Sequence, residues 1–202
     1  MLKLPTLSFN TLFHVGSMDI TQKGTINYEG NNGLSVSTAP DAWRQINRGF
    51  TGGDTHSLTK KGNRFIDYHA INLPLYHQLQ DWGVENGYLE TCQKFKVNIY
   101  DSEADCVRSC EFFTEAEAKI EAEEHDADVF PIDTYCGSAK FAEFIGESNK
   151  ENHTLIVVAY CAAETQLDGV YWRDRLDPSI YSSPRGVILQ NKLTSWNIKK
   201  GL

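Results

Sequence analysis

Gly33-Leu34-Ser35-Val36-Ser37-Thr38-Ala39-Pro40-Asp41-Ala42-Trp43 is the stretch on which the fold of this chain turns. It follows an Asn-Asn-Gly turn at 31–33, and from Gly33 apolar and polar residues alternate with the period of a strand. Ala39-Pro40 stops that period. Pro40 and Asp41 then open a helix, because proline loses nothing at a first helical position and an acid complements the free amides there. Trp43, Ile46 and Phe50 give that helix an apolar stripe. A strand that ends in hydroxyls and runs straight into a helix carries Ser37 and Thr38 to a sheet end, where they cap the helix or meet a ligand.

Upstream, Leu12-Phe13-His14-Val15-Gly16-Ser17 reads as a short strand that delivers a histidine just before a turn glycine. Such a histidine is either a structural hydrogen-bonding residue or a functional one. Downstream, His56 to Leu58 and Arg64 to His69 flank Thr59-Lys60-Lys61-Gly62-Asn63, which suggests a hairpin with a basic turn. Leu75 to Trp82 suits a helix and Lys94 to Tyr100 a strand. Residues 101–128 then hold eleven acids against two bases, Arg108 and Lys119. Within them Thr114-Glu115-Ala116-Glu117 is a capping box, and Ala116, Ala118, Ile120 and Ala122 offer a narrow apolar face. This segment is a solvated helix packed on one side, or a phosphate-mimicking surface for a basic, nucleic-acid-handling partner.

Thr154 to Cys161 has the β-branched density of a buried strand, with a short buried helix as the other reading of the same apolar run. Gly169 to Trp172 and Gly186 to Leu189 are two further strands, and Lys199 and Lys200 belong to a tail. At 202 residues with 41% hydrophobic and 23% charged side chains, the chain is globular and long enough for one core. The expected organisation is a single α+β domain, with core segments at 10–72 and 153–198 and an acidic α/β insertion at 73–152.

A formal charge of −8 opposes a general affinity for nucleic-acid phosphates or anionic lipid, and leaves room for a local basic groove. Leu155 to Ala163 is far shorter than a membrane span, and Lys3 and Pro5 interrupt the N-terminus before a secretory signal could form. The expectation is a cytoplasmic protein. Five cysteines, at 92, 106, 110, 136 and 161, are an odd set that suits thiols in a reducing compartment. Cys106 and Cys110 lack a second ligand pair, and the six histidines are scattered, so a metal centre is not expected. Gly49-Phe50-Thr51-Gly52-Gly53-Asp54-Thr55-His56 lacks the spacing of a phosphate loop or a dinucleotide fingerprint and reads as a flexible loop, with backbone approach to a pyrophosphate as the other reading.

Three segments, taken in order, resemble the ADP-ribosyltransferase fold of NAD-consuming toxins and related enzymes. Leu12-Phe13-His14-Val15-Gly16 is similar to that family's aromatic-His-Gly strand, with Val15 intervening. Gly33 to Trp43 is similar to its Gly-aliphatic-x-x-Ser/Thr strand and following helix. Asp168-Gly169-Val170-Tyr171-Trp172 and Gly186 to Leu193 are similar to its closing strands. The likeness covers the first and last quarters of the chain.

The resemblance implies an ADP-ribosyltransferase-like split β-sheet core carrying an acidic helical insertion, and NAD as substrate. It implies that His14 holds the nicotinamide-side ribose, with Gly16 beside it, and that Ser37 and Thr38 frame the nicotinamide pocket. The family's catalytic glutamate stands just before the final strand, where this chain has Ser182-Ser183-Pro184-Arg185. Asp174 or Asp177, or Glu164 further upstream, is the substitute carboxylate, unless these acids pair with Arg173 or Arg175. Cleavage of the nicotinamide bond builds positive charge on the sugar, so a carboxylate near that carbon and an aromatic slot for the leaving ring are what the chemistry needs. Tyr28, Tyr68, Tyr171, Trp172 and Trp43 are the candidate slot walls, and Arg44, Arg48 and Arg64 the local cations for a dinucleotide. The resulting expectation is transfer of ADP-ribose to a protein or nucleic-acid target, as in a toxin or mobile-element effector. The other reading is a non-enzymatic inhibitor, such as a phage anti-defence protein, acting through the acidic 101–128 surface.

Overall fold

The computed structural model of the chain describes residues 2–18, 33–40, 53–101, 105–147, 150–177 and 182–201. The expected helix after Pro40 lies outside them, as do Tyr28, Trp43, Arg44, Arg48 and the start of the 49–54 loop. The expected strands Leu12–Val15 (β2) and Gly33–Val36 (β3) are present, after a two-residue β1, Thr6–Leu7. Thr55–Thr59 (β4) and Phe65–Asp67 (β5) follow, and then helix α1, Leu73–Glu85, capped by the Asn72 side chain.

The strand pairing is largely non-sequential. One sheet has the order β1-β5-β9-β10-β3, where β9 is Gly169–Trp172 and β10 is Arg185–Leu189. A second runs β11-β4-β2, with β11 at Asn197–Lys200. The two sheets touch where Phe13 and Ser37 exchange both backbone hydrogen bonds, each 2.8 Å, so β2 and β3 lie side by side across the split. Three expectations change here. β4 and β5 are not a hairpin: they belong to different sheets, and β5 pairs with β1 and in parallel with β9. Lys199 and Lys200 are not a tail, because β11 pairs antiparallel with β4. Thr154 to Cys161 is not a strand: a 3-10 turn at His153–Leu155 leads into a helix at Ile156–Glu164.

Two apolar clusters lie on opposite faces of the five-stranded sheet, as period-2 alternation requires. Ile66, Val170, Trp172, Val187 and Leu189 point to the helical side, where the helix at Ile156–Glu164 is buried throughout Ile156 to Cys161. Phe65, Tyr171 and Ile188 point the other way, against Leu12, Leu58 and Trp196. Burial on both faces explains why β9 is apolar without a break.

The segment 73–152 is less helical than expected. Its centre is a three-stranded sheet, β7-β6-β8, formed by Leu89–Asp101 (β6), Cys106–Phe112 (β7) and Val129–Gly137 (β8). Helix α2, Glu115–His125, packs on it through Ala118 and Ala122 against Val97 and Ile99. The Thr114 cap is in place, its hydroxyl accepting from the Glu117 amide at 3.2 Å. Ile120, expected on the apolar face, is 63% exposed, because the contact face is only as wide as the two alanines. Helix α3, Ala139–Ile145, and α4, Ile156–Glu164, complete the helical layer with α1. Cys92 and Cys136 form a disulfide between the paired strands β6 and β8, so these two are not the thiols that were expected.

Candidate functional site

His14 sits near the end of β2, 7% exposed, opposite His56 on β4 with ring centroids 6.2 Å apart. Its Nδ1 lies 2.7 Å from the Ser35 carbonyl and its Nε2 2.9 Å from the Ser17 carbonyl. A neutral imidazole donates from one nitrogen only, so one of these two contacts sets a lone pair against an oxygen. Burial pulls the His14 pKa below its ordinary value, while the two carbonyls pull it back and the charge of His56 lowers it further. Gly16 has φ +135°, and a Cβ there would stand 3.4 Å from His14 Nε2. The glycine thus serves both the turn and the open edge of the ring.

Ser37 is 1% exposed and its hydroxyl is committed. It donates to the Pro184 carbonyl at 2.5 Å and accepts from the Ala39 amide at 3.0 Å. Its role is therefore to tie the end of β3 to the segment entering β10 rather than to face a ligand. Thr38 is placed differently. The Tyr171 hydroxyl accepts from the Thr38 amide and donates to the Thr38 hydroxyl, both at 2.9 Å.

Asp174 stands two residues beyond β9 and is near enough to Tyr171 and Tyr68 for its charge to raise both phenols, whose main upward push is burial. It does not pair with Arg173 or Arg175 as the sequence suggested. One oxygen lies 2.6 Å from Arg185 Nη1, and the other lies 3.1 Å from His69 Nε2. Arg173 turns instead to Asp67, at 2.9 Å. The Arg173 amide donates to His69 Nδ1 at 3.0 Å, which leaves the His69 proton on Nε2, directed at Asp174. Tyr68 and Trp172 pack with centroids 5.5 Å apart and ring planes tilted by 34°, and the Arg185 guanidinium lies 5.9 Å from the Trp172 ring.

From the sequence reading, the fold joins Thr38 to Tyr171 on one face of the sheet and Tyr68 to Trp172 on the other, with Asp174, beyond the end of β9, within electrostatic reach of both Tyr171 and Tyr68. It adds His69 and Arg185, which the reading missed. Arg185 had a signal: it pairs with Trp172 in the β9/β10 register, two residues before Asp174, a diagonal reach for a long side chain. His69 had none in the local pattern.

Other candidates lie elsewhere. Asp177 exchanges backbone bonds with Ser182, closing the connection between β9 and β10. Glu164 accepts from the Trp82 indole at 3.2 Å, in a cleft beside α1 that Leu2 and Tyr160 also line. Asp168 and Gly169 of the closing motif have structural duties. Asp168 is 3% exposed and accepts from Lys60 and the Arg64 amide, and a Cβ on Gly169 would sit 1.7 Å from the Val187 carbonyl. Among the described residues, no group of three His, Cys, Asp or Glu side chains is arranged to hold a metal ion. No helix among them is long and apolar enough to cross a membrane. No protein-family model, curated protein or solved structure matches the chain.

Proposed function

We propose that the chain is an NAD-dependent ADP-ribosyltransferase that modifies a macromolecular target. The observation that carries the reading is adjacency at the split of the β-structure. The His14 strand and the Ser37-Thr38 strand are joined through Phe13 and Ser37, and Tyr171 links Thr38 to the surroundings of Asp174. In this reading the ribose hydroxyl takes the place of the Ser17 carbonyl on His14 Nε2, which also relieves the conflict of one imidazole facing two acceptors. Thr38 and Gly16 border the slot for the nicotinamide ring, while Tyr68 and Trp172, which pack on each other on the other face of the sheet, stay outside it.

The bond between nicotinamide and the ribose carbon breaks with its electron pair on the leaving ring. The sugar carries the positive charge until an acceptor oxygen or nitrogen bonds to that carbon and gives up its proton. Asp174, oriented by His69 and Arg185, supplies the compensating carboxylate. Tyr28, Arg44 and Arg48 keep the roles that the sequence reading assigns them.

Purified protein incubated with NAD, with and without cell lysate, tests this by following free nicotinamide and ADP-ribose bound to macromolecules. The expected result is nicotinamide release that falls about 100-fold or more in Asp174→Asn and His14→Ala, with label on the lysate. No release from the wild type, together with no thermal stabilisation by NAD, removes the proposal.

The second reading, an inhibitor acting through its acids, rests on α2, where Ile120 is 63% exposed among glutamates. It predicts that Glu123→Lys with Glu124→Lys abolishes capture of a basic partner while His14→Ala leaves it intact.

A further inference from the structure

An open cavity among the described residues lies away from His14, at the other end of β2. It is a groove of about 990 Å³ between the segment before β2, the turn after β4, and the start of β11. Its lining includes Lys60, Lys61, Arg64, Asn10 and Asn197, and also Phe9, whose ring packs 4.4 Å from the Tyr171 ring and 5.4 Å from the Phe65 ring. No acidic side chain is among the described residues that line it, although acids outnumber bases across the chain, 27 to 19. Lys60 is neutralised by Asp168 beneath the turn. Lys61 is exposed at the turn with no ion pair among the described residues. Arg64 is also exposed, with a single long contact to the Thr6 hydroxyl at 3.3 Å.

The groove is built rather than incidental. Asn63 is 3% exposed and spends its whole side chain on the turn. Its Nδ2 donates to the carbonyls of Phe9 and Lys60, both at 2.6 Å, and its Oδ1 accepts from the Phe9 amide at 2.9 Å. Gly62, at φ +72°, supplies the left-handed residue at the tip and has nothing within 4 Å of where a Cβ would stand. One buried amide therefore fixes the basic turn to the wall that carries Phe9 and Asn10, so the cations are held in place before any ligand arrives.

We propose that this groove binds the sugar-phosphate backbone of single-stranded nucleic acid, a site separate from the NAD reading and independent of it. The volume is at the upper end of the ~300–1,000 Å³ range of small-molecule pockets, and the groove is open to solvent, as binding of an extended chain requires. Cations and neutral polar side chains without acids are the set that contacts phosphates without reading sequence. With 27 acids against 19 bases over the chain, such binding depends on a locally positive surface of this kind.

The test is fluorescence anisotropy of a labelled uridine dodecamer at several salt concentrations. Wild-type protein is expected to bind saturably at about 50 mM salt, and Lys61→Glu with Arg64→Glu to weaken binding more than about tenfold. Lys61→Ala alone, a change at an exposed turn that leaves the fold untouched, is expected to reduce the slope of log K against log salt by about 0.7. Unlabelled oligonucleotide displaces the probe and poly-glutamate does not. Absence of saturable binding by the wild type, affinity unchanged in the Glu variants at unchanged Tm, or equal displacement by poly-glutamate each overturns the proposal.

Discussion

A methyl group added at Gly169 would overlap the Val187 carbonyl, 1.7 Å away, and press on Val187 C at 2.9 Å and the Phe65 ring at 3.2 Å. The two Val187 atoms are backbone of the neighbouring strand and cannot turn aside, so Gly169→Ala is expected to abolish soluble expression. The neighbouring Asp168 is the buried anchor for Lys60 and for the Arg64 amide. Asp168→Asn is expected to lose about 3 kcal/mol in urea unfolding, because it leaves Lys60 without its counter-charge. Histidines set the pH response at this scale. Burial holds His14 and His153 below the ordinary imidazole value of 6.5, and the Lys94 charge adds to the effect at His153. Below that pH the unfolded chain binds protons that the folded one refuses. Their contribution is therefore complete above pH 6.5 and is lost as pH falls from there toward the folded-state values. Tm is expected to drop between about pH 7 and pH 5, and His14→Gln to flatten that drop. Cys161, pushed up to about 11 by burial, is expected to stay unmodified by thiol reagents in the native protein.

At the level of elements, local signals held where they concern caps and alternation. Thr114, read as a cap, accepts from an amide three residues on and starts a helix; Asn72 and Ser138, which the sequence reading did not single out, do the same. Thr114→Ala is expected to cost about 1 kcal/mol, read as a lower denaturant midpoint with an unchanged slope. β2, β3, β9 and β10 were legible because a strand shows its period, or its β-branched run, in four or five residues. The helix at 156–164 was not. It is buried on every side, so no polar face marks a period of 3.6, and Ile156-Val157-Val158 raises strand propensity that tertiary packing overrides. The supposed hairpin at 56–69 failed for a different reason. A basic turn between two apolar runs looks the same whether its strands pair or diverge, and here Asp168 and Asn63 hold the turn so that they diverge.

At the scale of the whole molecule, the disulfide between Cys92 and Cys136 spans 44 residues of sequence and joins strands already paired. Chain-entropy reasoning sets its contribution at no more than about 4 kcal/mol. Reductant is expected to lower Tm measurably while the far-ultraviolet spectrum at room temperature stays native. The site draws on the same scale. Thr38, His69, Asp174 and Arg185 come from four separate places in the chain. His69 and Arg185 meet Asp174 because β9 lies between β5 and β10, and Thr38 meets Tyr171 because β10 in turn pairs with β3.

Alternation, capping residues and turn chemistry are local properties, so the strands carrying His14 and Ser37, the cap at Thr114 and the closing strands could be read from the chain itself. Charge composition likewise marked the acidic segment and the basic turn. Which strands are neighbours, which histidine meets Asp174, and whether Lys61 and Arg64 face a groove are decided by contacts between residues far apart in sequence. Such contacts leave no period in the chain, since each partner's local pattern is compatible with many others. The choice among them is made by burying both faces of one sheet at once.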